Sequence, residues 1–252
     1  MSDVPLARRA AAEFAGTGML VAVVVGSGIM AARLSPHDIG LELLENSLAT
    51  AAGLAVIVLV AGPVSGAHLN PVISVADWAL GRRSGAGLRG RDLAAYLPAQ
   101  VAGAIGGTVV ANLMFALPAA TWSVKDRSAA HLWLGEAVAT AGLVLVVFAL
   151  TRTGRSGLAP AAVAGWIGAA YWATSSTSFA NPAVTIARAF TDTFTGIAPG
   201  SVPGFVAAQA VGAAAGAVLV LVFYPARPVP AAEPTPAGRE TAAVGAVPPP
   251  AG

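Results

Sequence analysis

The chain has no cysteine among its 252 residues and only three histidines. Disulfides, thiolate metal sites and cysteine nucleophiles are therefore excluded. Charge is also scarce: Asp, Glu, Lys and Arg make up 10% of the chain, against 56% hydrophobic residues. A soluble domain of this size carries about 25% charged residues, and the mean hydropathy here is +0.73. The composition is that of a polytopic membrane protein. No Gly-rich phosphate loop or nucleophile elbow occurs, and neither His37 nor His131 has a ligand-type residue at metal-binding spacing. No metal, cofactor or catalysis is expected. An isoelectric point near 9.5 does not imply a nucleic-acid partner, because net charge is only +2 and the arginines lie in short loops between apolar runs. Those arginines are topology signals.

What the sequence does have is apolar runs of spanning length, at about 10–31, 47–64, 93–116, 131–151, 158–176 and 203–224. No Ala-x-Ala cleavage pattern follows the first, so it is read as a retained span. Six spans put both termini on one side. The segments assigned to that side hold ten of the 14 Lys and Arg residues, including Arg8, Arg9, Arg82, Arg83, Arg89, Arg91, Arg152 and Arg155. The opposite side holds Arg33, Lys125, Arg127 and Arg188. The positive-inside rule then predicts cytoplasmic termini in a plasma (inner) membrane. From Pro225 onward the chain is rich in Pro and Ala, and 226–252 is expected to be a disordered tail after a channel-forming domain at 1–225.

Two shorter apolar pieces, Pro71–Leu80 and Pro182–Phe190, are each about half the length of a span. Each follows an Asn: the motifs are Asn70-Pro71-Val72 and Asn181-Pro182-Ala183. Proline suits the first helical position and Asn suits the cap, so each motif predicts a half-helix starting inside the membrane. The chain also repeats itself. Glu13 in the first span is echoed by Glu136 in the fourth, and Gln100 in the third by Gln209 in the sixth. With three spans in each half (about 8–117 and 131–224), the second copy must lie inverted, and the two half-helix N-termini should meet near the midplane. Facing N-termini repel cations, while the Asn amides donate to a neutral oxygen. The expected cargo is small, uncharged and hydroxylated.

Paired Asn-Pro motifs with these Glu and Gln echoes resemble the aquaporin and glycerol-facilitator family over about residues 8–225. The resemblance implies an all-α membrane protein with six transmembrane helices, two re-entrant half-helices and inverted three-helix repeats. It also implies a homotetramer with one pore per subunit. By family spacing from the asparagines, the selectivity filter falls on Thr50, Ala169, Ser178 and Val184. Val72 stands where the family commonly has Ala, and Val184 where it usually has Arg. Without that Arg the ring is expected to be wider and less polar, admitting glycerol-like polyols and undissociated metalloid hydroxides such as arsenite besides water. The resemblance gives Glu13 and Glu136 a structural role, accepting hydrogen bonds from the re-entrant loops. His68 is a pore-lining candidate. Arg188, one turn beyond Val184, can reach back into the mouth, but the more economical expectation is that it snorkels to the interface or pairs with Asp192. Gly103/Gly107 and Gly212/Gly216 permit close helix packing. The rival reading is a secondary transporter, which also uses inverted repeats and broken helices; the scarcity of buried ionisable groups argues against it.

Overall fold

The computed structural model describes residues 4–82, 85 and 87–225; the expected tail at 226–252 lies outside these. The described residues form helices α1 (Leu6–Leu34), α2 (Ile39–Ser65), α3 (Pro71–Gly81), α4 (Gly90–Met114), α5 (Ala130–Arg152), α6 (Ala159–Ala173), α7 (Pro182–Ala187) and α8 (Val202–Phe223), with 3-10 turns at Ser156–Leu158, Arg188–Phe190 and Pro199–Ser201. The polarity is that of a protein dissolved in lipid. Leu48, Val56, Leu59 and Val60 of α2 and Val211, Val218 and Val222 of α8 are exposed, whereas Glu13, Thr17, Gln100, Glu136, Thr140 and Gln209 are fully buried.

Among the described residues, five segments are long and apolar enough to cross a bilayer: α1, α2, α4, α5 and Pro199–Phe223. The sixth expected span is shorter than its sequence pattern. α6 has 15 helical residues, about 22 Å at 1.5 Å per residue, because the hydroxyl run after Ala173 turns to the backbone. Thr174 Oγ1 donates to the Ala170 carbonyl at 2.7 Å and Ser175 Oγ to the His131 carbonyl at 2.7 Å, and Thr174 itself is extended. Such local bonds compete with helix continuation. α6 is preceded by the 3-10 turn at Ser156–Leu158 and followed by the non-helical residues 174–181.

The two halves pack alike. α1 lies along α4 and α5 along α8. A Cβ on Gly103 or Gly107 would strike the Phe14 or Gly18 carbonyl of α1, and one on Gly212 or Gly216 the Ala137 or Ala141 carbonyl of α5. Only glycine lets these backbones touch. Arg9 pairs with Asp92 at 3.1 Å and Ser65 Oγ donates to Glu13 at 2.6 Å, so the starts of α1 and α4 lie beside the end of α2. Arg152 bonds the Tyr224 carbonyl, joining the ends of α5 and α8. Both ends of the described chain thus share one face of the bundle, here the terminal face; the opposite face carries the loop at 115–129.

Candidate functional site

α3 and α7 meet inside the bundle, N-terminus to N-terminus. Asn70 and Asn181 each cap their own helix: Asn70 Oδ1 accepts from the Val72 N–H at 3.1 Å, and Asn181 Oδ1 from Ala183 at 3.0 Å and Val184 at 3.3 Å. Pro71 and Pro182 occupy the first helical positions, where no donor is lost. Each carboxamide then crosses to the other half. Asn70 Nδ2 donates to the Ala180 carbonyl at 2.7 Å and Asn181 Nδ2 to the Leu69 carbonyl at 2.8 Å. One proton on each amide remains available.

The loops leading into the asparagines are held from behind by Glu13 and Glu136. Glu13 accepts from the N–H groups of His68 (3.0 Å) and Leu69 (2.6 Å), Gln100 Nε2 (2.7 Å) and Ser65 Oγ (2.6 Å). Glu136 accepts from Phe179 (2.8 Å), Ala180 (2.9 Å) and Gln209 Nε2 (2.6 Å). Each Gln also reaches the half-helix, Gln100 to Ser74 Oγ at 2.9 Å and Gln209 to Thr185 Oγ1 at 2.8 Å. The backbone repeats as well: Ala67 and Leu69 take φ of 49° and 52°, and Ser178 and Ala180, at equivalent positions, 51° and 48°. Left-handed φ is unfavourable for residues with a Cβ, and the buried carboxylates hold it in place. In a trans peptide C=O and N–H point oppositely. With the N–H groups of His68, Leu69, Phe179 and Ala180 turned to the carboxylates, the carbonyls of Ala67, His68, Ser178 and Phe179 point away from them. They face the cavity that these residues line.

That cavity measures about 590 Å³ and runs from Gly62 and Ser156 near the terminal face, past Asn70 and Asn181, to Arg188. α1 and α5 contribute Leu20 and Val24, and Leu143 and Val147. These pairs share the 123-residue offset that separates Glu13 from Glu136. His68 is on the wall, with Nδ1 3.1 Å from Ser74 Oγ and Nε2 3.8 Å from the Asp77 carboxylate, which also lines the cavity. Among the described residues no group of His, Asp and Glu is arranged to hold a metal ion.

Of the four expected filter positions, Thr50, Ser178 and Val184 line the cavity. Ala169 does not: it is exposed on the outer face of α6. The lining face of α6 is Val163, Ile167 and Tyr171, spaced by four, and Ala169 is two residues, about 200°, from Tyr171. The lining residue is therefore ten positions before Asn181 where family spacing gives twelve, and it is an aromatic whose hydroxyl donates to Thr50 Oγ1 at 3.3 Å. Phe179 is a second wall residue that the sequence did not single out. The Ser178 hydroxyl is buried without a hydrogen-bond partner among the described residues.

Arg188 neither snorkels nor pairs with Asp192. It is 3% exposed, its Nε donates to the Thr195 carbonyl, and its guanidinium carbon lies 3.3 Å from the Phe179 ring centroid. Asp192 instead accepts from the Val124 N–H at 3.1 Å. The loop at 115–129 supplies two further cations. Lys125 Nζ donates to the Phe194 carbonyl at 3.1 Å and Arg127 Nε to the Gly196 carbonyl at 3.0 Å. Burial pushes both below their ordinary pKa, and for Lys125 the nearby Arg127 adds to the shift. A second cavity of about 340 Å³, lined by Glu42, Asn46, Lys125, Arg127 and Arg188 among others, lies at this end.

Comparison with known proteins agrees with this architecture. Residues 1–178 match the Major intrinsic protein family. The chain is 50% identical over 230 residues to aquaglyceroporin AqpS of Rhizobium meliloti (strain 1021), covering 91% of this chain and 96% of that protein. It is 32% identical over 176 residues to the glycerol uptake facilitator protein of Pseudomonas aeruginosa, covering 59% of this chain and 60% of that one. The fold matches the X-ray structure of the aquaglyceroporin from Plasmodium falciparum with a TM-score of 0.64 at 21% identity, over 86% of this chain and 96% of that chain. Half-helices capped and cross-bonded by paired Asn-Pro motifs, a cavity running past both asparagines and these relatives lead to one assignment: the chain belongs to the major intrinsic protein family of multi-pass membrane channels.

Proposed function

We propose that the chain is a passive, bidirectional channel for small uncharged hydroxylated solutes: water, glycerol-like polyols and undissociated metalloid hydroxides such as arsenite. The observation that carries this reading is the pairing of acceptors and donors along one cavity. Four backbone carbonyls face the lumen above and below two Asn amides, so a hydroxylated solute can exchange its water hydrogen bonds for protein ones as it moves. A bare cation meets the positive ends of α3 and α7 instead. Val184, an isopropyl group at the ring where the family usually has Arg, favours solutes larger than water.

The molecule acts in this proposal as a homotetramer with a pore in each subunit, in the plasma membrane, with both termini cytoplasmic. The ring comprises Thr50, Tyr171, Ser178 and Val184. Reconstituted vesicles subjected to inward gradients of water, glycerol, urea and arsenous acid test the reading. Val184→Arg is expected to cut glycerol flux about tenfold, equivalent to about 1.4 kcal/mol of added barrier, while water still passes. Undiminished glycerol flux in that variant would remove Val184 from the filter.

A further inference from the structure

Arg188 is a buried cation with no carboxylate within 4 Å among the described residues. Uncompensated buried charge in a membrane protein is rare and marks function. The side chain is fixed without being neutralised. Lys125, Arg188 and Arg127 donate to three consecutive carbonyls, those of Phe194, Thr195 and Gly196, one donor from each cation. The Arg188 guanidinium carbon sits 3.3 Å from the Phe179 ring centroid, a cation–π contact. The two terminal nitrogens of Arg188 have no hydrogen-bonding partner among the described residues. Arg188 is also the one described residue that lines both the 590 Å³ cavity and the 340 Å³ cavity. It stands at the junction between vestibule and lumen.

We infer that Arg188 is the fixed positive charge of this channel's constriction, held one helical turn beyond Val184 by the Thr195 carbonyl and the Phe179 ring. The inference rests on the channel reading above and deepens it. Size selection and charge selection are separated along the pore: Val184 and its ring set the width, and Arg188, flanked by Lys125 and Arg127, sets the charge. A wide ring then passes polyol-sized neutral molecules without giving passage to cations. Glu42, the carboxylate lining the vestibule, does not line the larger cavity.

The test uses the full chain in vesicles loaded with a pH-sensitive dye, with proton influx and glycerol-driven volume change read on the same preparation. Arg188→Gln is expected to raise proton and methylammonium entry about tenfold or more, the scale on which one focused charge changes local ion concentration. Arg188→Met removes the charge while keeping an apolar stem against Phe179, and is expected to leak in the same way. Arg188→Lys is expected to stay tight. Adding Val184→Arg to Arg188→Gln is expected to restore tightness to cations at the expense of glycerol flux. Gln and Met variants that pass glycerol and leak no more than the unsubstituted chain would overturn the inference. Absence of glycerol flux in the unsubstituted chain would instead overturn the channel reading.

Discussion

Replacing Glu136 with Ala removes the group that holds the second re-entrant loop. The carboxylate accepts from the N–H groups of Phe179 and Ala180 and from Gln209 Nε2, at 2.8, 2.9 and 2.6 Å. Phe179, Ala180 and Gln209 are all buried. A buried donor left unpaired costs about 1–3 kcal/mol, so the sum is about 3–9 kcal/mol. The left-handed φ at Ser178 and Ala180 also loses its restraint. Thr140→Val is the matched control, because Thr140 Oγ1 is equally buried but has no hydrogen-bond partner among the described residues, and removing an unpaired hydroxyl is expected to be neutral or stabilising. Thermal unfolding of the purified protein in detergent, followed by tryptophan fluorescence, measures both. Glu136→Ala is expected to unfold well below the parent, with solute flux lost, while Thr140→Val is unchanged or higher. Equal midpoints for the two variants would refute the assignment of Glu136 as the support of the loop.

Other outcomes follow from the mouth of the pore and the loop above it. Tyr171→Ala is expected to admit four- and five-carbon polyols that the parent passes slowly, whereas Ala169→Phe, on the outer face of α6, leaves the permeability series unchanged; the opposite pattern in swelling assays would restore the twelve-residue spacing. Asp126 accepts from Ser128 Oγ at 2.6 Å and Ser201 Oγ at 2.9 Å, which hold its carboxyl below the ordinary Asp pKa. Its contribution is therefore fully present above the unfolded-state value near 3.8 and is lost as pH falls through the lower folded value. Asp126→Asn is expected to lower the unfolding midpoint at pH 7 and to converge with the parent as the pH is brought below 3.8; a difference between them that does not narrow with acid would assign the effect to something other than this carboxylate.

The parts of this molecule legible in its sequence are those where a local rule acts. Asn capping and Pro at the first helical turn fixed where α3 and α7 begin, and the Glu and Gln echoes located the inverted repeat. The register of α6 was not legible. The segment from Thr174 to Ala180 is non-helical and carries left-handed residues at Thr177, Ser178 and Ala180, so counting back from Asn181 does not preserve a helical face, and Ala169 was expected where Tyr171 stands. The fate of Arg188 was illegible for a different reason. Helical periodicity puts it on the face of Val184, but whether it turns inward depends on the Thr195 carbonyl and on Phe179. Neither contact leaves a pattern in the sequence. The same holds for Lys125 and Arg127, which read only as topology charges until the loop at 115–129 brought them to the mouth.

Passive conduction through a charge-excluding lumen is measured by the initial-rate flux of glycerol into reconstituted vesicles. The rate is expected to rise linearly with glycerol concentration, to have a shallow temperature dependence and to be the same with or without a proton or sodium gradient. Saturation at low concentration, or acceleration by either gradient, would contradict it.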